Sequence, residues 1–396
     1  MSLNTTTSSE RLHIAFFGCR NAGKSSLVNA ITNQQLSVVS DIKGTTTDPV
    51  KKAMEILPIG PVVIIDTAGL DDTGELGELR IEKTMQILGK ADIAVLVVDS
   101  TIGLNKYDNE LIRLLEERKL PYVVVYNKSD LKVKEILRSA PNDNLYVCAK
   151  TGEGVNELRE LLGKIANENK KEKYIIRDRL HAGDIVILVI PIDESAPKGR
   201  IILPQQNVLR ECLDAHASAI CCQVEELPEI LKKVTPNLVI TDSQAFNKVK
   251  DIVPENIILT SFSILMANYK GGLNELVKSV STLSKLKDSD TVLISEACTH
   301  HRQCNDIGTV KFPKWISDYT GKNINFEFTQ GGEFPADLSK YKLIIHCGGC
   351  MVNEAEMTTR QKRAKEQNIP MVNYGMAIAY MNGILDRAMK IFTKSK

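Results

Sequence analysis

Two sets of residues with chemistry to offer lie at opposite ends of this chain. Near the start, "FFGCRNAGKSSLVNA" fits the spacing G-x-x-x-x-G-K-S/T, with Gly18, Gly23, Lys24 and Ser25. Glycines let a backbone wrap around phosphates with its N–H groups turned inward. The helix that follows adds the partial positive charge of its N-terminus. Asn21, Ala22, Gly23, Lys24, Ser25 and Ser26 then form a phosphate cradle, with Lys24 reaching the terminal phosphates and Ser25 giving an oxygen to Mg²⁺. Near the other end, Cys298 in "EACTHH" and Cys347 and Cys350 in "HCGGC" are soft metal ligands set among histidines.

The first set continues along the chain. "VVIIDTAG" is an apolar run ending in Asp66 and Gly69. Asp66 can hold a water on Mg²⁺, and the Gly69 amide can sense the last phosphate. Between the two motifs, Thr46 in "DIKGTTTD" can supply a second oxygen to the ion. Lys24, Thr46, Asp66 and Gly69 are the expected catalytic set. "PYVVVYNKSD" brings Asn127, Lys128 and Asp130, and "YVCAK" brings Cys148, Ala149 and Lys150. Asp130 can accept from N1 and the 2-amino group of guanine, which adenine lacks. Asn127 suits the O6/N7 edge, Lys128 can pack along the base, and residues 148–150 can close over it. The order of these motifs predicts a GTP-binding domain.

The second set reads as a metal centre. "CGGC" puts two thiolates on one tight turn, and the N–H groups of Gly348 and Gly349 can hydrogen-bond to sulfur. Zinc is a competitor, because three cysteines and a histidine form a common structural zinc set. A structural zinc usually joins two short-range ligand pairs, whereas these ligands sit at the ends of separate predicted strands. That favours an iron–sulfur centre and leaves zinc open. Cys304 reads as a surface or neighbouring thiol. Cys19, Cys148, Cys212, Cys221 and Cys222 fall in apolar contexts and read as small core residues.

Positioning both sets requires strands that end at them. The chain has 396 residues, 43% of them hydrophobic, enough for two or three domains. The pattern predicts an α/β protein: a P-loop GTPase domain, then two smaller α/β domains, the last carrying a metal-cluster site at strand ends. The expected boundaries are a tail at 1–10, the GTPase domain at 11–168, an interaction or dimerisation module at 169–262, and a cluster domain at 263–396. The strand in "DTVLISEACTHH" runs into Cys298, and that in "YKLIIHCGGC" into Cys347. Open α/β sheets place ligands beyond the carboxyl ends of their strands. Fifty basic and 49 acidic residues give a net charge of +1, which pulls the protein toward neither nucleic acid nor an anionic membrane. Nine scattered cysteines fit reduced thiols, and no apolar run is long enough to span a bilayer. A cytoplasmic protein is the expectation.

The motifs from Gly18 to Lys150 resemble the translation-factor-related GTPases, and within them the tRNA-modification and ribosome-assembly branch. Leu70 stands where signalling GTPases carry a glutamine that orients water. In the resembled branch a P-loop asparagine helps hold K⁺ near the phosphates. Asn21 matches it, which implies slow, potassium-stimulated hydrolysis; the alternative is that Asn21 only shapes the loop. Cys298-x-His300 followed by His346-Cys347-x-x-Cys350 is similar to the signature of the HydF family, the GTPases of [FeFe]-hydrogenase maturation. The resemblance implies a homodimer and a [4Fe–4S] cluster on Cys298, Cys347 and Cys350, with His300 or His346 as the possible fourth ligand. It further implies a scaffold that receives a diiron subcluster precursor built with radical-SAM maturation enzymes and passes it to apo-[FeFe]-hydrogenase. The alternative is a tRNA-modification or ribosome-assembly GTPase with an auxiliary zinc or iron–sulfur domain.

Overall fold

The computed structural model describes residues 8–33, 50–67, 84–131, 145–168, 172–192, 201–297 and 306–393. The chain divides into two units, Met1–Lys171 and Glu172–Lys396.

The first unit holds β1 (Leu12–Phe17), β2 (Val50–Ile56), β3 (Gly60–Asp66), β4 (Ile93–Asp99), β5 (Tyr122–Asn127) and β6 (Leu145–Tyr146) in the order β2-β3-β1-β4-β5-β6. Only β2 runs antiparallel to its neighbour, β3; the other pairs are parallel. The central strands are buried on both faces, which is why "LHIAFF" and "IAVLVVD" read as continuous apolar runs. Ile14, Phe16, Val95 and Val97 pack into one layer, while Ala15, Phe17, Leu96 and Val98 pack into the other. The helix Lys24–Thr32 covers the first layer beside the helix Val155–Glu168. Arg159 ties them together by donating to the carbonyls of Ala30 and Ile31. The helix Lys106–Glu117 covers the second layer and opens on a reciprocal cap between Asn105 and Asp108.

The second unit contains two four-stranded parallel sheets. The first has β7 (Ile185–Val189), β8 (Ser218–Cys222), β9 (Leu238–Thr241) and β10 (Ile258–Ser261) in the order β10-β9-β7-β8. The second has β11 (Thr291–Glu296), β12 (Asn325–Gln330), β13 (Leu343–His346) and β14 (Met371–Asn373) in the order β12-β11-β13-β14. Both sheets therefore follow one plan, with the first strand inside and the second and third on either side of it. A crevice forms where the chain turns in opposite directions from neighbouring strands. In the second sheet that point lies between β11 and β13.

The two sheets share one core, in which Ile187, Val189, Phe246 and Leu259 join Leu293, Phe312, Ile344 and Met376. The last helix, Leu385–Thr393, packs on β10. Its Arg387, 6% exposed, donates to the carbonyls of Val253 and Pro254 at 2.8 and 2.7 Å. The helix Phe262–Lys270 starts on the Ser261 side chain at the end of β10. It reaches the second sheet through Ser263, whose hydroxyl donates to Asn373 Oδ1 at 3.0 Å. No helix among the described residues is long and apolar enough to cross a membrane.

Candidate functional site

The phosphate loop follows β1 directly. Gly23 has φ 89°, and a Cβ there would lie 2.2 Å from the Asn127 amide nitrogen, so only glycine fits. Asn21 is also left-handed, with φ 58°, a region that asparagine tolerates. Lys24 is 8% exposed, and its Nζ donates to the carbonyls of Gly18 and Cys19 at 2.9 Å each. Ser25 donates to Asp66 Oδ2 at 2.8 Å, while the buried Asp66 Oδ1 has no partner. A buried carboxylate oxygen without a partner, beside a serine hydroxyl, fits a hydrated Mg²⁺, which would take both. Thr67 fixes the exit of β3 by donating from its hydroxyl to the Phe16 carbonyl at 2.6 Å.

On the base side, Asn127 is a brace between loops. Its Nδ2 donates to the Ala22 carbonyl at 2.9 Å, and its Oδ1 accepts from the Ala149 N–H at 3.1 Å. The loop at Ala22 and the loop at Ala149 are thus fixed to one side chain. Lys128 Nζ lies 2.6 Å from Asp99 Oδ2. Burial raises the Asp99 carboxyl, but hydrogen bonds from Lys128 and Thr101 outweigh it and hold the group below the usual carboxylate range. Asp130 is exposed at the end of this loop, and its Oδ1 accepts from the Cys148 thiol at 3.2 Å. Ser26 lies in the first turn of the helix Lys24–Thr32, and Lys150 is exposed beside Ala149.

The cysteine turn sits at the carboxyl end of β13, beside β11. Ser295 pairs with His346, the last pair of β11 and β13, and Ala297 and Cys347 follow just beyond it. The Ala297 N–H donates to Cys347 Sγ at 3.1 Å, and the Gly349 N–H to the same sulfur at 3.4 Å. Gly349 has φ 67°, and a Cβ there would lie 2.3 Å from Met357 Cε. Burial, then the nearby Cys350, pushes the Cys347 thiol up to about 12; burial raises Cys350 as well, against the pull of Lys270. Two N–H groups aimed at one sulfur suit a thiolate, and only a bound cation makes a thiolate favourable at such depth. The Cys347 and Cys350 pair therefore fits a thiolate-ligated metal centre. Lys270 closes the turn by donating to the Val352 carbonyl at 2.8 Å.

His346 has both ring nitrogens engaged, Nδ1 with the Cys347 carbonyl at 2.8 Å and Nε2 with Arg360 at 2.9 Å. Burial, then the Arg360 charge, lowers it to about 3. As a possible fourth ligand it has no free nitrogen in this arrangement. Thr46, Gly69 and Leu70, and likewise Cys298, His300 and Cys304, lie outside the described residues. Among the described residues, no three His, Cys, Asp or Glu side chains group to hold a metal. Cys148 and Cys212 are buried as the sequence suggests, Cys19 and Cys222 are only partly buried, and Cys221 is exposed on the edge strand β8. Sequence reasoning missed Arg360 and Asp99. The sequence cue for Arg360 was its spacing of four from Glu356, which reads equally well as a surface pair.

Residues 175–271 match the hydrogen maturase F dimerization domain, and residues 274–391 its tetramerization domain. The chain belongs to the hydrogen maturase F family. Residues 13–128 match the 50S ribosome-binding GTPase domain, so the family's self-association domains here follow a GTPase domain. The region expected from sequence to be a cluster domain thus matches the family's tetramerization domain over residues 274–391. The tRNA modification GTPase MnmE of Nitrosomonas europaea is 37% identical over 160 residues, 40% of this chain and 35% of that protein. GTPase Der of Kosmotoga olearia is 35% identical over 176 residues, 40% of each chain. The chain thus spans well under half the length of these relatives. A crystal structure of an Aquifex aeolicus Era variant bound to GDP and AlF4⁻ is 22% identical, with TM-score 0.36, over 56% of this chain and 89% of that one.

Proposed function

We propose that this hydrogen maturase F chain is a GTP-hydrolysing scaffold that receives a diiron subcluster precursor and transfers it to an apo-[FeFe]-hydrogenase. The observation that carries this reading is the cysteine turn at the β11–β13 crevice, inside the family's own association domain. Cys347 and Cys350, joined by Cys298 one residue after Ala297, would hold a [4Fe–4S] cluster. Bound there, such a cluster supplies an iron with an exchangeable coordination position, to which cargo can attach and from which it can leave. The chain's own residues supply the rest. The Ala297 and Gly349 N–H groups stabilise charge on Cys347, and Lys270 pins the turn. In support of this, β11 and β13, the strands that lead toward Cys298 and Cys347 in the sequence, are parallel neighbours.

At the other end, Lys24, Ser25, Thr46, Asp66 and Gly69 hold GTP and Mg²⁺, and Asp130 reads guanine with Lys128 and the loop at Cys148, Ala149 and Lys150. Radical-SAM maturation enzymes are the partners that load the scaffold, and the nucleotide state sets partner affinity or domain arrangement. Such a switch needs a free-energy difference between the nucleotide states. The MnmE and Der relatives match only the GTPase part and so favour no RNA role for the remainder.

The test is reconstitution. Protein produced beside its maturation partners is mixed with apo-hydrogenase, and hydrogen evolution is measured. Loaded protein that activates no hydrogenase would sink the scaffold reading.

Two further outcomes are expected of the nucleotide site. Asp130→Asn exchanges an acceptor for a donor, so GTP affinity should fall by about 10-fold or more while xanthosine triphosphate affinity rises; losing one charge-assisted hydrogen bond is worth about 1.5–3 kcal/mol. Nucleotide titrations with both triphosphates decide it, and unchanged GTP affinity counts against the base-site assignment. Hydrolysis should be faster in K⁺ than in Na⁺ at equal ionic strength, and Asn21→Ala should erase the difference. Equal wild-type rates in the two salts would leave Asn21 with its left-handed turn as its whole role.

A further inference from the structure

Beside the cysteine turn, a buried guanidinium faces a buried imidazole. Arg360 is 2% exposed and His346 1%. Arg360 Nη1 stands 2.9 Å from His346 Nε2. A guanidinium has only donors, so Nε2 must accept. Nδ1 lies 2.8 Å from the Cys347 carbonyl, which only accepts, so Nδ1 carries the proton. The ring is fixed as one neutral tautomer with its lone pair in use. Arg360 is itself held fast: Nη2 donates to the Gly331 carbonyl at 2.6 Å and to Glu356, and the guanidinium lies 5.4 Å from the centre of the Phe334 ring.

We propose that Arg360 is a positioning residue for the cluster turn: it occupies the His346 lone pair, keeps that histidine off iron, and turns it into an anchor for the Cys347 backbone. The inference rests on the cluster reading above. It says that the ligand completing the centre comes from elsewhere than His346, and that the restraint comes from a helix fourteen residues further along the chain. Lysine is a poorer substitute, because one ammonium cannot hold His346, Gly331 and Glu356 in the planar fork that arginine presents.

The test uses the full chain, reconstituted anaerobically with iron and sulfide, and pulsed EPR of the reduced cluster with and without ¹⁵N-histidine. H346Q should leave the wild-type nitrogen couplings unchanged. R360M should gain a ring-nitrogen coupling that the double variant R360M/H346Q loses, and R360K should show less of it than R360M. A wild-type nitrogen coupling lost in H346Q overturns the proposal, as does iron-loaded R360M without a new coupling. If R360M does not fold, ring ¹⁵N NMR of the iron-free wild type decides. A protonated Nδ1 with an acceptor Nε2 supports the restraint, and the opposite tautomer overturns it. Wild-type protein that shows the expected tautomer yet takes up no iron overturns the cluster reading on which the proposal rests, a result distinct from failure of the restraint itself.

Discussion

Lys24→Ala is expected to lower GTP hydrolysis by about 10²–10³-fold, the usual cost of removing one preorganised donor from a site where charge develops. Lys24 Nζ already lies over the loop, held by the Gly18 and Cys19 carbonyls at 2.9 Å. It is 8% exposed, so its charge acts in a poorly solvated place, where it counts for more than in water. Phosphoryl transfer asks little covalent chemistry of a protein; positioning and charge do most of the work. Alanine removes the charge and the two hydrogen bonds that Lys24 gives the loop carbonyls, so nucleotide affinity should fall together with the rate. Ser25→Ala should be milder and different in kind. It frees Asp66 Oδ2 from its 2.8 Å hydrogen bond and should raise the Mg²⁺ concentration needed for half-maximal activity. Phosphate release measured against a Mg²⁺ series separates the two variants. Wild-type hydrolysis by Lys24→Ala would mean that the chemistry lies elsewhere.

What the sequence made legible follows from where its motifs sit. Gly18, Asp66 and Asn127 each stand at or beside the carboxyl end of a strand, and a strand buried on both faces announces itself as an apolar run. Strand ends of this kind therefore mark in the sequence where the nucleotide loops are expected. Asn127 reads from sequence as a candidate base-side residue, but its bracing role is not written there. Its amide is spent on Ala22, 105 residues away in the chain, a closeness that spacing alone cannot reveal. The cysteine turn was legible because the two thiols stand three residues apart with glycines between them. His346 looked like a ligand because it adjoins Cys347, but the structure takes its lone pair with Arg360. In "EAEMTTRQKRAKE" four basic residues share one helix, and nothing in their order marks Arg360 as the buried one. The shared core was hidden for a similar reason. The helix Phe262–Lys270 begins on a cap from β10 and binds Asn373 of the second sheet, so its sequence serves both.

Cys347→Ala should abolish the [4Fe–4S] EPR signal and take iron to background. The argument starts from the thiol without metal. Burial and the neighbouring Cys350 push it up to about 12, and the N–H groups of Ala297 and Gly349 only partly oppose this. An isolated thiolate is therefore unfavourable in this position at neutral pH, and metal binding must drive the proton off. Cluster assembly should then release protons and weaken as pH falls. Alanine removes the sulfur and leaves two N–H donors without an acceptor, which costs about 1–3 kcal/mol for each buried group left unsatisfied. Denaturant unfolding of the variant must therefore accompany the iron analysis, so that loss of cluster is not mistaken for loss of fold. Cys212→Ala is the control. Cys212 is fully buried in the same unit, and its thiol is pushed up to about 11, chiefly by burial among apolar residues. Removing its sulfur should cost some stability and leave the EPR signal intact. If Cys347→Ala keeps its iron, the turn is not the cluster's seat; if wild-type protein purified without oxygen holds zinc and no sulfide, the three cysteines form a structural site, and the transfer of a diiron cargo loses its anchor.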